Sequence, residues 1–554
     1  MSVRAAAGAR EWAKLRAISQ ALRSVGIGVP ALALVVALAG SAYLALQPAT
    51  DPDYGWHVAN GRNLWNGILL GGHDVYSWTA AGHAWVAHEW LTDVAMAFLN
   101  DAFGPVGTSL AAAAVVVLAM GLVAVRLRGR NLLAVALTLA IVCRAAYVSF
   151  GVRPQLLELL YLSAWLLALD AWLARRLATR HLFVLAVGLM LLWANTHGSF
   201  LLAPVVAAVL AAALGLAGDR RAIAAASLAV LVAAAPLVNP WGPALYGFAT
   251  QSLSSGVTGR LIQEWQPPNL LAGDFAAFTQ ELAFLLVGVL LAVGRVVRTL
   301  RAGGGVSPSS RDAGGSRWSR VGHPLLAQVR CTWTIALTAL MIALALRSGR
   351  FVMLVGITAA PILAWTLEQV VAWAVAVAEQ ARRLVERLLG RGTAGKAPER
   401  GRLNLVLATA AAVGLCVAGL ARISPAAQEQ ALSGRYPVSL LPALDEAVTS
   451  AGGPGQARLL NAYDDGGFLL EWRPGLPVFI DGRSEVYGDA LLVEAATLFD
   501  TGPGWRTTLD RLHPRVALLD PGTPLALVLE QAGWTVRGSD GAGVLLVAPT
   551  GSSG

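Results

Sequence analysis

Cysteine and charged residues are both scarce in this chain of 554 residues. The three cysteines, Cys143, Cys331 and Cys416, lie far apart inside apolar runs and form no CxxC pair. This spacing argues against a disulfide framework and against a thiolate metal site. Charged residues make up 14% of the chain and hydrophobic residues 56%, with a mean hydropathy of +0.60. Such a composition is too apolar for a soluble protein of this length and predicts a polytopic α-helical membrane protein.

The formal net charge of +9 is carried almost wholly by arginine. In a membrane protein such an excess usually marks loops that orient the chain, so we expect membrane lipids and no nucleic acid as partners. No cleavable signal peptide is apparent, because the residues before the first apolar run are basic and lead into a span of full membrane length. Residues 1–24 are therefore interpreted as a cytoplasmic lead-in.

Apolar runs long enough to cross a bilayer predict about eleven transmembrane helices, at roughly 20 residues per span. They lie near residues 25–48, 106–126, 131–149, 155–174, 182–196, 200–217, 222–239, 276–297, 331–347, 351–378 and 403–421. Arginine clusters follow alternate spans, which the positive-inside rule places in the cytoplasm together with a Gly/Ser/Arg-rich linker at 298–330. This order predicts a multi-pass protein of the cytoplasmic (inner) membrane, with the N-terminus inside and a long first outer loop at 49–90.

The composition changes after the last predicted span. From residue 422 to 554, turn residues appear and the apolar runs become too short to cross a membrane. These short runs alternate with helix-like stretches, a pattern typical of a small α/β unit. The sequence therefore predicts a transmembrane domain over 25–421 and an extracytoplasmic soluble α/β domain over 422–554.

Polar residues collect at the predicted outer ends of the spans. They are Arg144, Arg153, Asn195, His197, Asn239, Glu264, Arg347 and Arg350. Each alone has a structural explanation, as a snorkelling arginine, a helix cap or a helix stop. Ionisable groups near a bilayer are costly, by about 2.5–3.5 kcal/mol at a helix centre, so their accumulation on one side predicts a polar cavity that opens outward.

The first outer loop is the richest polar segment. It begins with "DPDYGWH", which contains Asp51, Asp53 and His57, and later contains His88 and Glu89. Helical spacing is followed by the apolar positions Tyr54, Val58, Leu64, Trp65 and Ile68. The tryptophans of the loop are interpreted as anchors of an interfacial helix. A carboxylate at the C-terminal end of a helix meets the negative pole of the helix dipole, so Asp51 requires a positive partner.

Three roles remain open for Asp53. It is the N-cap of the helix that follows, or a general base, or a ligand with Asp51 for a hard divalent cation such as Mg²⁺ or Mn²⁺. His88 and Glu89 are the second candidates for catalysis. The sequence "HEW" lacks the second histidine of a zinc-protease helix, which argues against a metalloprotease.

Several segments together resemble a known group of membrane proteins. These are "DPDYGWHVANGRNLW", "DVYSWTAAGHAWVAHEWL", "RPQ", "WANTHG", "NPWG", "EWQPP" and "DDGGFLLEWRPGLPVFIDGRSEVYG". They are similar to an uncharacterised bacterial family within the GT-C superfamily of polyprenyl-phosphate-dependent glycosyltransferases. The resemblance covers nearly the whole chain, although the C-terminal part lacks the WWD-type motif of oligosaccharyltransferases.

The resemblance implies a GT-C-like fold and a function. A sugar would move from a polyprenyl-phosphate-linked donor to a glycan, lipid or protein acceptor on the outer face of the membrane. The acidic residue shared by the superfamily matches Asp53, and less securely Asp51. Arginine suits the donor phosphate because its planar guanidinium binds two phosphate oxygens and stays charged. The candidates, in order, are Arg350, Arg347, Arg153 and Arg144.

The alternatives to an enzyme are a non-catalytic subunit of an envelope assembly and a transporter of a lipid-linked substrate. A transporter predicts a pathway to the inner side and pseudo-symmetric halves, and no half-repeat is visible in the sequence. The predicted α/β domain holds a further polar set near predicted strand ends, in "DDGG" and "DGRSEVYG". Both are good turn sequences, so this set is either structural or contributes to acceptor binding.

Overall fold

The fold is known from a computed structural model that describes residues 28–67, 72–301, 324–389 and 401–549. The predicted lead-in at 1–24 lies outside the described residues, as does most of the predicted linker at 298–330.

Eleven apolar helices match the eleven predicted spans. They are α1 Val29–Ala45, α3 Trp90–Arg126, α4 Leu132–Ala146, α5 Leu156–Leu173, α6 Thr179–Ala194, α7 Leu202–Leu216, α8 Arg221–Ala234, α11 Ala276–Arg301, α12 Pro324–Arg347, α13 Val352–Leu389 and α14 Gly401–Arg422. Within the described ranges, eight helices are long and apolar enough to cross a membrane, while α1, α6 and the helix from Arg221 are shorter. The protein is therefore a multi-pass α-helical membrane protein, and the number of about eleven crossings stays a prediction.

Burial distinguishes the central helices from the peripheral ones. In α13, 72% of the apolar window is buried inside the protein, whereas in α14 only 11% is buried. A helix that is apolar on all sides and enclosed belongs to a bundle core, while one that exposes apolar side chains is suited to lipid. Helix α13 therefore forms the centre of the bundle, and α14 lies at its edge against α1.

Helix α3 is divided by a kink at Gly104 and Pro105. Gly104 has a positive φ of 65°, and proline at the next position removes one helical hydrogen bond. The predicted span at 106–126 begins directly after this kink. The preceding turns, from Trp90, were not predicted as helix. They lie beside the apolar bundle, in the part of the molecule that also contains the first outer loop and the C-terminal region and is called the outer part below.

The outer part contains the remaining short elements. Its helices are α2 Tyr54–Trp65, α9 Ala244–Ser254, α10 Thr258–Leu261, α15 Pro425–Arg435, α16 Leu441–Ser450, α17 Pro454–Ala457, α18 Gly466–Trp472, α19 Ser484–Phe499, α20 Trp505–Leu512 and α21 Pro524–Gln531. Its strands are β1 Leu460–Asn461, β2 Val516–Leu519, β3 Thr535–Ser539 and β4 Val544–Val547. The sheet has the order β1-β2-β4-β3, with β1 parallel to β2 and the other pairs antiparallel. The α/β character predicted for the C-terminal region is confirmed.

The first outer loop and the C-terminal region share one hydrophobic core. Trp56, Tyr76 and Trp85 of the loop pack in the same buried cluster as the residues around the sheet. Residues 54–61 of α2 are all buried, and Gly55 lies so close to Gly467 of α18 that a Cβ there would be 2.1 Å from its carbonyl oxygen. The prediction of an interfacial helix with tryptophan anchors is therefore wrong for Trp56 and Trp85, because the C-terminal region covers them.

A buried ion cluster joins the loop to the C-terminal region. The guanidinium of Arg483 donates to Asp481 at 2.6 and 2.9 Å and to Asp74 of the loop at 2.7 Å. It also lies 4.7 Å from the ring centres of both Tyr76 and Trp85. A charge that is 1% exposed is tolerated when it is paired and hydrogen-bonded in this way. The "DGR" turn therefore has a structural role, because its Arg483 packs between the rings of Tyr76 and Trp85.

Candidate active-site cavity

A cavity of about 1190 Å³ lies where the helix bundle meets the outer part. Its wall is built from one end of the apolar helices, from the loop at 262–265 and from the turns before α18 and α19. Part of the wall is apolar and belongs to the bundle. The apolar residues include Val148, Leu201, Leu202, Val205, Phe275, Leu340, Leu344 and Phe351. The cavity therefore combines a polar end with an apolar surface that continues along the spanning helices.

Asp51 lies at the polar end and has the positive partner that its position requires. Its Oδ2 is 3.5 Å from Nε of Arg153, and its Oδ1 accepts a hydrogen bond of 3.1 Å from the backbone N–H of Asp53. Close packing of Gly151 against the Asp51 carboxylate brings the loop before α5 to this point. The carboxylate at the end of α1 is thus compensated by an arginine that is about one hundred residues away in sequence.

Asp53 stands at the N-cap position of α2, but its side chain does not cap the helix. Its Oδ1 accepts a hydrogen bond of 3.0 Å from Nε1 of Trp56. Burial and the neighbouring Asp51 raise the pKa of Asp53 to about 7. The capping alternative is therefore wrong, and the carboxylate faces the cavity with a pKa suited to proton transfer near neutral pH.

A glycine sets the distance between Asp53 and the C-terminal region. A Cβ added to Gly482 would lie 1.8 Å from Oδ1 of Asp53, closer than any real contact allows. Only glycine therefore fits between Asp481 and Arg483 without displacing the Asp53 carboxylate. The ion cluster of Arg483 fixes this turn directly against the acid.

Glu264 links two arginines of the cavity wall. Its carboxylate accepts from Nη2 of Arg153 at 2.8 Å and from Nη1 of Arg350 at 2.7 Å. The Arg350 guanidinium lies 5.0 Å from the ring centre of Trp265. Burial raises the pKa of Glu264, but Arg350 and Arg153 lower it below its usual value on balance. Arg153 and Arg350, predicted for the donor phosphate, therefore form one charged group with Glu264, which was predicted only to lie in the cavity.

The two remaining predicted arginines differ in position. Arg144, in the last turn of α4, lines the cavity and has its guanidinium 5.6 Å from the ring centre of Tyr147. Arg347 is exposed and is not among the lining residues. Ser348 takes an extended conformation directly after it and ends α12, so Arg347 and Arg350 project to different sides. The structure does not bring Arg347 into the cavity.

Glu89 lies among three histidines beside the acids. Its carboxylate is 3.4 Å from Nε2 of His88, 3.4 Å from Nε2 of His197 and 3.8 Å from Nε2 of His57. Burial raises the pKa of Glu89, but the imidazoles, His88 above all, lower it on balance. Burial lowers the pKa of His197 to about 3, so this imidazole is neutral. Glu89 is consequently an anion held by its neighbours and is not poised to take up a proton.

Three residues predicted for the cavity do not reach its wall. His57 is 2% exposed and lies behind the wall, where Nδ1 is 2.6 Å from Oδ1 of Asp93. Asn195 accepts from Nε1 of Trp90 at 2.8 Å, and Asn239 accepts from the backbone N–H of Trp241 at 2.7 Å. Short amide side chains are readily satisfied by local groups, which is why both stay at their own helix ends.

Two polar wall residues at the start of α5 are among those that were not proposed from the sequence. Gln155 appears in the quoted "RPQ" motif only as part of the resemblance, and Glu158 lies one turn further along α5. Glu158 gave a usable signal, because an acid inside a predicted membrane helix is rare and faces a cavity or a partner. Gln155 gave none, since a neutral amide at a helix start is ordinary.

The side chains at this site do not fit a resident metal ion. Among the described residues, no group of three or more His, Cys, Asp or Glu side chains is arranged to hold one. Asp51 already lies beside the cationic Arg153, and Asp53 is hydrogen-bonded by Trp56. A second positive charge at Asp51 would be repelled by the guanidinium. The predicted divalent-cation site at Asp51 and Asp53 is therefore not supported.

Comparison with known proteins finds no matching family model and no matching curated sequence. Among solved structures, the chain is similar to ArnT from Cupriavidus metallidurans bound to undecaprenyl phosphate, with 16% identity over 95% of this chain and 98% of that one and a TM-score of 0.48. The apo oligosaccharyltransferase of Archaeoglobus fulgidus is 13% identical over 88% of this chain and 69% of that one, with a TM-score of 0.46. Both are GT-C glycosyltransferases, the superfamily that the sequence motifs resemble. The reaction of this chain has to be inferred from its own cavity.

Proposed function

We propose that the protein is a membrane glycosyltransferase that moves a sugar from a polyprenyl-phosphate-linked donor to an acceptor. The observation that carries this proposal is the single cavity that holds Asp51 and Asp53 together with Arg153, Arg350 and Arg144. The apolar wall formed by α7 and α12 gives an isoprenoid chain a surface to lie on. A non-catalytic scaffold has no need of such a cavity, and a transporter requires a path to the other side of the bundle.

The orientation of the cavity follows from the charges at the helix ends. The cavity lies at the ends of the spanning helices that are opposite to the arginine-rich loops at 126–130, 175–180 and 220–221. Cytoplasmic loops of membrane proteins carry the excess of arginine. The proposal therefore places the cavity at the outer leaflet of the cytoplasmic membrane, where a lipid-linked sugar and an external acceptor can meet.

The chemistry assigns one role to the acid and another to the arginines. Asp53 takes the proton from the acceptor hydroxyl as its oxygen attacks the anomeric carbon and forms the new C–O bond. The bond between that carbon and the phosphate oxygen breaks, and its electron pair leaves on the phosphate. The guanidiniums stabilise the charge that develops there, because charge-assisted hydrogen bonds to phosphate oxygens strengthen as the bond breaks.

Arg350 is the arginine best placed for the phosphate. It uses one N–H donor on Glu264, and a guanidinium has five donors. Arg153 donates to Glu264 and also lies beside Asp51, so fewer of its donors are available. Glu264 thereby holds both arginines in place while leaving Arg350 able to bind a second anion.

The function is tested by incubating the purified protein with radiolabelled polyprenyl-phosphate sugars and following donor consumption. Parallel reactions with a divalent cation and with EDTA are expected to proceed alike, since the site does not fit a resident metal. Consumption of at least one donor, with release of polyprenyl phosphate, would support the proposal. Movement of an intact lipid-linked sugar across a vesicle membrane, without cleavage, would favour the transporter instead.

Replacing Arg350 by Gln is expected to raise KM for the donor by about 10- to 100-fold, with a smaller effect on acceptor KM. The reason is the loss of charge-assisted hydrogen bonds to the phosphate, each of which contributes about 1.5–3 kcal/mol. Arg347→Gln is the matched control, because Arg347 lies three residues away and outside the cavity. Initial rates at varied donor concentration make the comparison. Equal donor KM values for the two variants would remove Arg350 from the donor site.

Replacing Gly482 by Ala is expected to lower kcat by about 10- to 100-fold, because the new methyl group must displace the Asp53 carboxylate. Misplacement of a reacting group by about 1 Å is sufficient for a loss of this size. Gly541→Ala is the control, since a Cβ there meets nothing within 4 Å. Rates are measured at saturating donor, and thermal unfolding confirms that both variants are folded. A Gly482→Ala protein with full activity would show that Asp53 need not keep this position.

A further inference from the structure

Gln155 is a buried amide that lines the cavity and has no partner. The residue is 3% exposed, and neither Nε2 nor Oε1 forms a hydrogen bond within the described part of the chain. It stands directly before α5, two residues after Arg153. A buried amide without hydrogen bonds is unfavourable, so a side chain of this kind is normally hydrogen-bonded to a bound molecule when the protein supplies no partner. The open side of Gln155 is the cavity.

His197 contributes to the same cavity a second polar atom that forms no hydrogen bond, its Nε2. It is 2% exposed, and its Nε2 forms no hydrogen bond, although Glu89 lies 3.4 Å away. Its Nδ1 accepts a hydrogen bond from the backbone N–H of Ser199. The proton of the neutral imidazole is therefore on Nε2, which leaves one N–H donor available at the wall.

Glu158 completes this part of the wall. It lies three residues after Gln155 on α5, so both side chains are on the same face of the helix. It is 2% exposed and lines the cavity. The three side chains together present amide donors and an amide acceptor, one imidazole donor and the oxygens of one carboxyl group. This mixture matches hydroxyl groups, which both donate and accept.

We propose that Gln155, with His197 and Glu158, recognises the hydroxyl groups of the donor sugar and so determines which sugar is transferred. This inference rests on the proposed function. The anomeric carbon of the donor is bonded directly to the phosphate. Residues next to Arg153 therefore lie closer to the donor sugar than to the acceptor. Gln155 and the neutral imidazole of His197 have no positive charge to pair with an ionised sugar. The expected donor sugar is therefore neutral, with free hydroxyls.

The test compares undecaprenyl-phosphate hexoses with their monodeoxy analogues on two proteins. The wild-type protein is expected to use one deoxy donor at least 100-fold less efficiently than its parent, because a site built to bind a hydroxyl rejects the analogue that lacks it. Gln155→Leu is expected to lose about 10- to 100-fold in kcat/KM with the parent donor and to discriminate less than about threefold. Gln251→Leu, at an exposed glutamine on the rim, should discriminate like the wild type.

Two outcomes separate this inference from the proposed function. If the wild-type protein consumes no donor, the proposed function fails. If it transfers a sugar and Gln155→Leu keeps the full discrimination, only the role of Gln155 fails. Thermal unfolding without donor gives a readout independent of activity. The melting temperature of Gln155→Leu is expected to equal or exceed that of the wild type, because an unpartnered amide is lost. A marked fall would indicate a structural role and overturn the inference.

Discussion

Asp53→Asn is expected to lower the rate of sugar transfer about 10³-fold while leaving the protein folded, within the range of 10² to 10⁴ typical of a lost general base. Asparagine has the shape of aspartate and can still accept from Nε1 of Trp56, but its amide cannot take the acceptor proton. Steady-state rates at saturating donor give the effect, and Asp489→Asn serves as a matched control. Asp489 lines the exposed rim of the same cavity and accepts a hydrogen bond from the Ser255 hydroxyl.

The pH dependence provides an independent check on Asp53. Since burial and Asp51 raise its pKa to about 7, the carboxylate is protonated below this pH and cannot act as a base. The rate of the wild-type protein should then fall about tenfold per pH unit below 7. Asp489→Asn should keep this profile, whereas the residual activity of Asp53→Asn should lack it. Wild-type turnover in the Asp53→Asn protein would remove Asp53 from the mechanism.

Arg483→Met is expected to reduce the free energy of unfolding of the outer part by about 3–5 kcal/mol. Removing one member of a buried ion cluster leaves the other charges uncompensated, and here Asp481 and Asp74 would both lose the guanidinium. Methionine keeps most of the side-chain volume, so the loss reports the charge and not an empty space. Unfolding in detergent is followed by the tryptophan fluorescence of the protein, to which Trp85 beside Arg483 contributes.

An exposed arginine provides the control for this experiment. Arg473 donates to Asp445 at 2.7 Å, but Asp445 is 51% exposed, and such surface pairs contribute about 0–1 kcal/mol. Arg473→Met is therefore expected to unfold almost like the wild type. If Arg483→Met were equally stable, the cluster would not hold the first outer loop against the C-terminal region.

The spans could be predicted from the sequence because the length of an apolar run depends only on neighbouring residues. Each of the eleven predicted spans overlaps a helix, and the span at 106–126 even begins at the kink of α3. The predicted interfacial nature of α2 was wrong because its cover comes from residues near the other end of the chain. Hydrophobic periodicity shows that one face of a helix is buried, but not by what.

The polar site was predictable in part for a similar reason. Topology indicated which loops share one side of the membrane, and this was sufficient to expect Asp51, Arg153, Glu264 and Arg350 in one place. Which side chain then faces the cavity depends on the local path of the backbone. The extended backbone at Ser348 lies between Arg347 and Arg350, and no pattern in the sequence predicts that the backbone changes direction there.

The contacts of the "DGR" turn and the surroundings of Gln155 could not be predicted from one sequence. "DGR" reads as a turn, and its middle glycine gives no sign that it lies against Asp53. The orphaned amide of Gln155 is likewise a property of its surroundings, because the residue type alone does not show whether partners are present.

The close approach of Gly482 to Asp53 has a consequence for biosynthesis. A ribosome makes the DPD segment early and the DGR turn only after nearly all the membrane helices have been inserted. Until the DGR turn reaches the side of the membrane on which Asp53 lies, the cavity around Asp53 is incomplete in the nascent polypeptide. Under the proposed function, products of stalled or prematurely terminated translation would therefore enter the bilayer without activity toward a polyprenyl-linked donor.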